Sequence, residues 1–169
     1  MNSHSSPSLP SANSRVVHSS KRPQILCVDD DPNVSAAIAR RLRPLAIDVL
    51  HAYSGMQGYW QLVTESPDAV VVDLAMPNGS GTEMIECVMR NKTTMNTPVI
   101  VLTGKSDHVS RRRLFQMGIS GFLRKPVVCE RLLWELGQFI DLGDTALRMA
   151  AGCNLYLYGR KVRLFNNGY

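Results

Sequence analysis

Five short apolar runs, separated by segments of helical spacing, constrain the fold of this chain more than any other feature of its sequence. Three of the runs are unbroken aliphatic stretches, which are typical of central strands in a parallel sheet that is covered on both faces. Parallel strands are joined by right-handed crossovers, so the pattern predicts an α/β fold with an open, doubly wound sheet. The runs occupy residues 25–28, 47–52, 69–72, 99–102 and 120–123.

The segments between the runs predict five helices. In the first, Asp31 can cap the helix and Pro32 can occupy its first turn, and Pro44 ends the apolar repeat. The fourth is the least regular, because the arginines at 111–113 interrupt its apolar face. The apolar stripe of the fifth consists of Leu132, Leu136, Phe139 and Ile140. After the first helix, which ends before residue 44, the predicted helices span residues 54–65, 81–90, 106–117 and 128–140.

The two ends of the chain differ from its centre in composition and charge. The first 22 residues contain eight serines and two prolines and few large apolar side chains, so residues 1–23 are predicted to be a disordered tail. Residues 24–142 are predicted to form one domain, with 12 basic and 13 acidic side chains. The net charge of +5 therefore comes from the ends, which argues against a nucleic-acid partner for the folded body.

Residues 143–169 are expected to form a C-terminal extension with a short helix and a hairpin. The segments 155–158 and 162–165 are rich in aromatic and aliphatic residues and flank a basic turn at 159–161. An isolated hairpin is marginally stable in water, so it is expected to dock on the domain, pair with a partner or stay loose. The segment 143–169 by itself is expected to be too short for a complete DNA-binding or enzymatic output domain.

Cysteine spacing and hydropathy exclude several classes of protein. Because the four cysteines form no C-x-x-C pair, neither a zinc ribbon nor a thioredoxin-like site is expected. Reduced thiols and a cytoplasmic location are the corresponding expectation. The longest apolar stretches, 69–72 and 99–102, are far shorter than the ~20 residues that span a bilayer, so no membrane association is expected.

Polar side chains follow four of the predicted strands. Asp29 and Asp30 follow the first strand, Asp73 the third, Thr103 the fourth and Lys125 the fifth. Each of them alone has an ordinary interpretation as a turn, strand or surface residue. Because the carboxyl ends of parallel strands meet at one edge of a sheet, however, these five side chains are expected to converge.

The predicted cluster of carboxylates needs a cation. Two carboxylates ~4 Å apart repel by about 4 kcal/mol at an effective dielectric of 20, so Asp29, Asp30 and Asp73 would be costly to hold together. Hard oxygen ligands on an open edge suit Mg²⁺, and Mn²⁺ is possible as well. Such an ion completes its coordination with substrate oxygens, typically from a phosphoryl group, which the Lys125 ammonium and the Thr103 hydroxyl can also bind.

With these residues in place, the sequence resembles a two-component response-regulator receiver domain of the stand-alone, chemotaxis-regulator type. The resemblance covers about residues 24–142. It implies a flavodoxin-like sheet of five β/α units with strand order 2-1-3-4-5. The matching segments are ILCVDDD at 25–31, VDLAMP at 72–77 followed by Gly81, VLTG at 101–104 and GFLRKP at 121–126.

The resemblance also implies a role for each site residue. Asp73 would accept a phosphoryl group from the phosphohistidine of a histidine kinase or phosphotransfer protein. Asp30, Asp73 and the backbone carbonyl of Ala75 would be direct metal ligands, and Asp29 an outer one. The protein would then catalyse only its own phosphorylation and dephosphorylation, and would pass its state to a downstream protein that the sequence does not identify.

The resemblance also concerns how the phosphoryl group is bound and how phosphorylation is converted into a change of shape. The resemblance implies that Lys125 pairs with the phosphoryl group and that its bond to Pro126 is cis. Thr103 and Phe122 would be the switch pair: the hydroxyl moves to the phosphoryl oxygen and the ring turns inward into the space that it leaves.

Two other interpretations stay open at this point. Asp29 and Asp31 form an Asp-x-Asp pair after the first strand, as in haloacid-dehalogenase-like metal-dependent phosphatases, although Pro32 and Asn33 depart from that pattern. A receiver can also act as a docking module without being phosphorylated. The arginines at 111–113 are either a solvated face or a docking patch for a partner.

Overall fold

The computed structural model describes residues 21–77, 81–104, 111–143 and Met149. Five parallel strands form one sheet in the order β2-β1-β3-β4-β5, which confirms the predicted doubly wound, flavodoxin-like topology. The strands are β1 (Gln24–Val28), β2 (Asp48–Ala52), β3 (Ala69–Asp73), β4 (Val99–Thr103) and β5 (Gly121–Arg124). Each lies within one or two residues of a predicted run.

Among the elements that the structure describes, five α-helices connect the strands or follow them, together with a short 3₁₀ helix at Arg43–Leu45. The Asp31 side chain caps the first helix by accepting from the Asn33 N–H at 2.9 Å, and Ser54 caps the second by accepting from the Gln57 N–H at 3.2 Å. The helices are α1 (Pro32–Leu42), α2 (Gly55–Glu65), α3 (Gly81–Arg90), α4 (Arg111–Met117) and α5 (Cys129–Leu136).

The last helix is shorter than its sequence pattern predicts. It ends at Leu136, and Gly137, a poor helix former, follows it. Phe139, which the pattern placed on the apolar stripe, is 46% exposed, whereas Ile140 packs against the core. The predicted stripe was therefore wrong at Phe139, because the chain leaves the helical path before reaching it.

The sheet separates two apolar layers. Alternate residues of β1 point to opposite faces: Ile25 and Cys27 belong to the core beneath α1 and α5, and Leu26 and Val28 to the core on the other face. All four side chains are buried, which explains why the run shows no polar alternation. Because helices cover both faces of the sheet, the carboxyl ends of the strands form the edge that stays accessible.

The described part of the chain reaches slightly beyond the predicted domain start. Pro23, assigned to the tail by sequence, accepts a hydrogen bond from the Asp48 N–H at 2.9 Å, and Arg22 lies 3.8 Å from the Asp48 carboxylate. Residues 1–20 and the predicted hairpin at 155–165 lie outside the described residues. Within the described ranges, every helix is too short or too polar to traverse a bilayer.

Candidate functional site

Strand ends bring the predicted site residues to one edge of the sheet. Asp29 follows β1 and is 1% exposed, and its backbone N–H donates to the Ala52 carbonyl at the end of β2. Asp73 and Thr103 are the last residues of β3 and β4, and both are buried. Lys125 comes directly after β5, its N–H donates to the Thr103 carbonyl, and its bond to Pro126 is cis, as expected.

Lys125 bridges two carboxylates. Its Nζ atom lies 2.7 Å from Asp29 Oδ2 and 2.7 Å from Asp73 Oδ2. The other oxygen of Asp29 accepts a hydrogen bond from the Asp31 N–H at 3.0 Å. Asp73 Oδ1 accepts one from the Ala75 N–H at 3.4 Å. The sequence predicted that Lys125 faces the phosphoryl site, but not that its ammonium joins β1 to β3.

The charges at this edge perturb one another. Burial is the largest influence on Asp29 and raises the pKa of its carboxyl group, while the hydrogen bonds from Lys125 and Asp31 offset only part of that rise. Burial also lowers the pKa of Lys125, but the hydrogen bonds and negative charges of Asp29 and Asp73 together outweigh it and raise that pKa above its ordinary value. Lys125 therefore compensates only part of the cost of burying the charge of Asp29.

A third carboxylate completes an acidic cluster. Oxygens of Asp29, Asp30 and Asp73 all lie within 4.8 Å of one another, and Asp30 is the exposed member. The Lys125 ammonium carries a single positive charge against three carboxylates, so the cluster retains negative charge. Three hard oxygen donors of this kind suit Mg²⁺ or Mn²⁺, which keep several waters and take few protein ligands.

A buried cysteine thiol precedes this cluster on β1. Cys27, two residues before Asp29, is 1% exposed. Burial first, and the negative charge of Asp29 second, raise the pKa of its thiol to about 12. The thiol is therefore protonated at neutral pH.

The structure places the two expected switch residues, Thr103 and Phe122, near the site without joining them to it. The Thr103 hydroxyl donates to the Gly104 carbonyl at 3.2 Å. Phe122 is half-buried on β5, opposite Val101 in the sheet register, and packs against the core beneath α4. Asp31 caps α1 and is absent from the acidic cluster, so within the described residues the Asp-x-Asp pair of the phosphatase interpretation does not converge.

Gly81 is a site residue whose role the sequence pattern left unexplained. It begins α3, and its N–H donates to the Leu74 carbonyl at 3.3 Å. A Cβ atom at this position would lie 1.9 Å from the carbonyl oxygen of Asp73 and 3.0 Å from the Leu74 Cα. Only glycine lets α3 approach the backbone of Asp73 this closely, which could be recognised only once both segments were placed in three dimensions.

Comparison with known proteins agrees with this geometry. Residues 25–136 match the model of the response regulator receiver domain family. The chain is 34% identical over 112 residues to hybrid signal transduction histidine kinase D of Dictyostelium discoideum, a match that covers 66% of this chain and 7% of that protein. It is 31% identical over 111 residues to the DNA-binding dual master transcriptional regulator RpaA of Synechocystis, covering 66% of this chain and 46% of that one. The chain thus spans less than half of either relative.

Solved structures show the same fold. A response regulator receiver protein from Pseudomonas putida aligns with a TM-score of 0.65 at 25% identity, over 71% of this chain and 99% of that one. The chemotaxis response regulator CheY4 of Vibrio cholerae aligns with a TM-score of 0.64 at 23% identity, over 71% and 100%. The chain therefore belongs to the response regulator receiver domain family, whose members are phosphoacceptor signalling domains of two-component systems rather than conventional enzymes.

Proposed function

We propose that residues 24–142 form a receiver that takes a phosphoryl group onto Asp73 in a Mg²⁺-dependent reaction and then alters its contacts with other proteins. One observation carries the proposal: the Lys125 ammonium lies 2.7 Å from Asp73 inside a cluster of three carboxylates. A lysine and hard-cation ligands around one buried aspartate form a site for a group that brings further negative charge, as phosphate does.

The transfer step uses the carboxylate of Asp73 as the nucleophile. One of its oxygens attacks the phosphorus of a phosphohistidine, the phosphorus–nitrogen bond breaks, and the imidazole leaves with the bonding electron pair. The product is an acyl phosphate on Asp73. Lys125 neutralises charge on the transferred phosphoryl oxygens, and the Thr103 hydroxyl can donate a hydrogen bond to one of them in place of its bond to the Gly104 carbonyl.

The metal would be held by the carboxylates of Asp30 and Asp73 and by the backbone carbonyl of Ala75, with Asp29 as an outer ligand. Mg²⁺ bound there, or Mn²⁺ in its place, supplies positive charge that offsets the negative charge of the reacting oxygens. Asp29 fits an outer role because its two oxygens already accept from the Asp31 N–H and pair with Lys125. Reversal of the state, by attack of water on the acyl phosphate, would use the same groups.

Asp30 offers the sharpest test of the metal site. We expect Asp30→Ala to abolish measurable Mg²⁺ binding in isothermal titration calorimetry while the fold is retained, because Asp30 is exposed and contributes charge rather than packing. Asp68→Ala, which removes an exposed carboxylate at the opposite edge of the sheet, is the control and should bind Mg²⁺ as the wild type does. Equal Mg²⁺ affinity in Asp30→Ala and wild type would refute the ligand assignment.

The phosphodonor and the output are part of the same proposal. Matches to the histidine kinases named CheAY of Helicobacter pylori and GacS of Pseudomonas protegens support a histidine kinase or phosphotransfer protein as the donor. Near-neutral charge across residues 24–142 supports output through protein contacts rather than nucleic acid.

Intact mass spectrometry tests the proposal directly. Incubation of the full chain with acetyl phosphate and Mg²⁺ should add one phosphoryl group, whose site peptide mapping assigns to Asp73, and chelation of the metal should prevent the addition. Sustained phosphate release without any adduct would favour the phosphatase interpretation instead. If neither an adduct nor phosphate release were found, although the protein still acted in its signalling pathway, docking without phosphorylation would be favoured.

A further inference from the structure

The guanidinium of Arg111 lies between two aromatic rings where α4 meets β5. Its Cζ atom is 5.4 Å from the ring centroid of Phe115, one helical turn further along α4, and 5.6 Å from the ring centroid of Phe122 on β5. Both distances fall within the ~6 Å over which a cation is attracted to the face of an aromatic ring. Arg111 therefore connects the ring of the expected switch residue to helix α4.

A buried carboxylate on the neighbouring helix favours this position of Arg111. Glu135 on α5 is 9% exposed, and its Oε1 atom lies 2.6 Å from the Arg131 guanidinium. Its Oε2 lies against β5, since a Cβ at Gly121 would come within 3.2 Å of it. Burial raises the pKa of Glu135, and the charges of Arg131 and then Arg111 oppose that rise, so Arg111 is within electrostatic reach of this carboxylate.

We propose that Arg111 is a positioning residue that holds the Phe122 ring in its half-exposed place and thereby opposes activation. The inference rests on the proposed function, in which the ring turns inward on phosphorylation. An inward turn would break the contact with Phe122 and leave only the contact with Phe115, so the cation stabilises the inactive arrangement selectively. A cation–aromatic contact at an exposed site changes such an equilibrium about two- to fivefold.

The experiment uses the full chain labelled with fluorophenylalanine, and the Phe122 signal is assigned from a Phe122→Leu variant. In the wild type, Arg111→Met and Arg112→Met, the ¹⁹F spectrum is followed while beryllofluoride, a phosphoryl analogue, is titrated in Mg²⁺. Methionine keeps the apolar stem of Arg111 and removes the charge. Arg112 is an exposed neighbour on the same helix and matches the loss of charge.

We expect Arg111→Met to reach half-saturation at about two- to fivefold lower beryllofluoride, because apparent affinity rises with the population of the competent state. Arg112→Met should behave as the wild type. Arg111→Lys, which keeps a cation over the ring, should lie closer to the wild type than Arg111→Met does. A normal wild-type response that is unchanged in Arg111→Met would overturn this inference alone, whereas a wild type that does not respond would overturn the proposed function and this inference with it.

Discussion

Asp73→Asn is expected to abolish the phosphoryl adduct completely. The amide has no nucleophilic carboxylate oxygen, and Asp73 is a buried acid at the end of β3 whose Oδ2 atom lies 2.7 Å from Lys125 Nζ. The amide oxygen can still accept a hydrogen bond from Lys125, and Asp29 keeps its own ion pair with that ammonium, so the fold should persist. Intact mass after incubation with acetyl phosphate and Mg²⁺ measures the effect.

The matched control for this prediction is Asp31→Asn. It makes the same chemical change two residues beyond Asp29, at the same edge of the sheet, but outside the acidic cluster. Asparagine caps helices as well as aspartate does, so α1 should start unchanged. We expect this variant to be phosphorylated like the wild type. Comparable phosphorylation of Asp73→Asn would show that another residue accepts the phosphoryl group.

Gly81→Ala is expected to have the second largest effect. The new methyl group would lie 1.9 Å from the Asp73 carbonyl oxygen and 2.8 Å from its carbonyl carbon, and backbone atoms cannot move aside as a side chain can. Relief requires α3 to shift away from β3, which we expect to cost about 1–3 kcal/mol of unfolding free energy. Because the clash is with Asp73 itself, phosphorylation should slow as well. Denaturant unfolding and the rate of adduct formation report the two effects.

Gly104→Ala separates this clash from the general consequences of replacing glycine. Among the residues that the structure describes, a Cβ at Gly104, directly after Thr103, would meet nothing within 4 Å. Alanine there restricts the unfolded chain, so we expect unchanged stability or a gain of up to about 1 kcal/mol. If the two variants were equally destabilised, close contact between α3 and the backbone of Asp73 would not be the cause.

The doubly wound sheet and the residues at its edge follow from features that a linear pattern carries, whereas the strand order 2-1-3-4-5 was implied by the resemblance to receiver domains. Uninterrupted aliphatic runs predicted a sheet covered on both faces, and the polar residues that end those runs predicted which edge holds the site. Asp29, Asp73 and Lys125 converge for that reason alone. The start of α1 was predicted in the same way, from Asp31 as the capping residue and Pro32 in the first turn.

Other features depend on how separate elements meet and could not be predicted from spacing. The long side chain of Lys125 has several rotamers. The one that it adopts places the ammonium beside both Asp29 and Asp73, because the buried negative charges attract it. The stack of Arg111 on Phe122 requires α4 to lie over β5, although the two residues are eleven positions apart. Phe139 was placed in the core because a helical pattern continues in the sequence after the helix itself has ended.

The protonated thiol beneath the acidic edge bears on which ions can occupy it. Thiolate ligands favour zinc and cuprous ions, and Cys27 could offer one only by losing a proton from a group with a pKa of about 12. Cys27, two residues before Asp29 and buried in the apolar core, therefore offers no thiolate at neutral pH. The carboxylate oxygens of Asp29, Asp30 and Asp73 would therefore set the preference of this edge for hard cations.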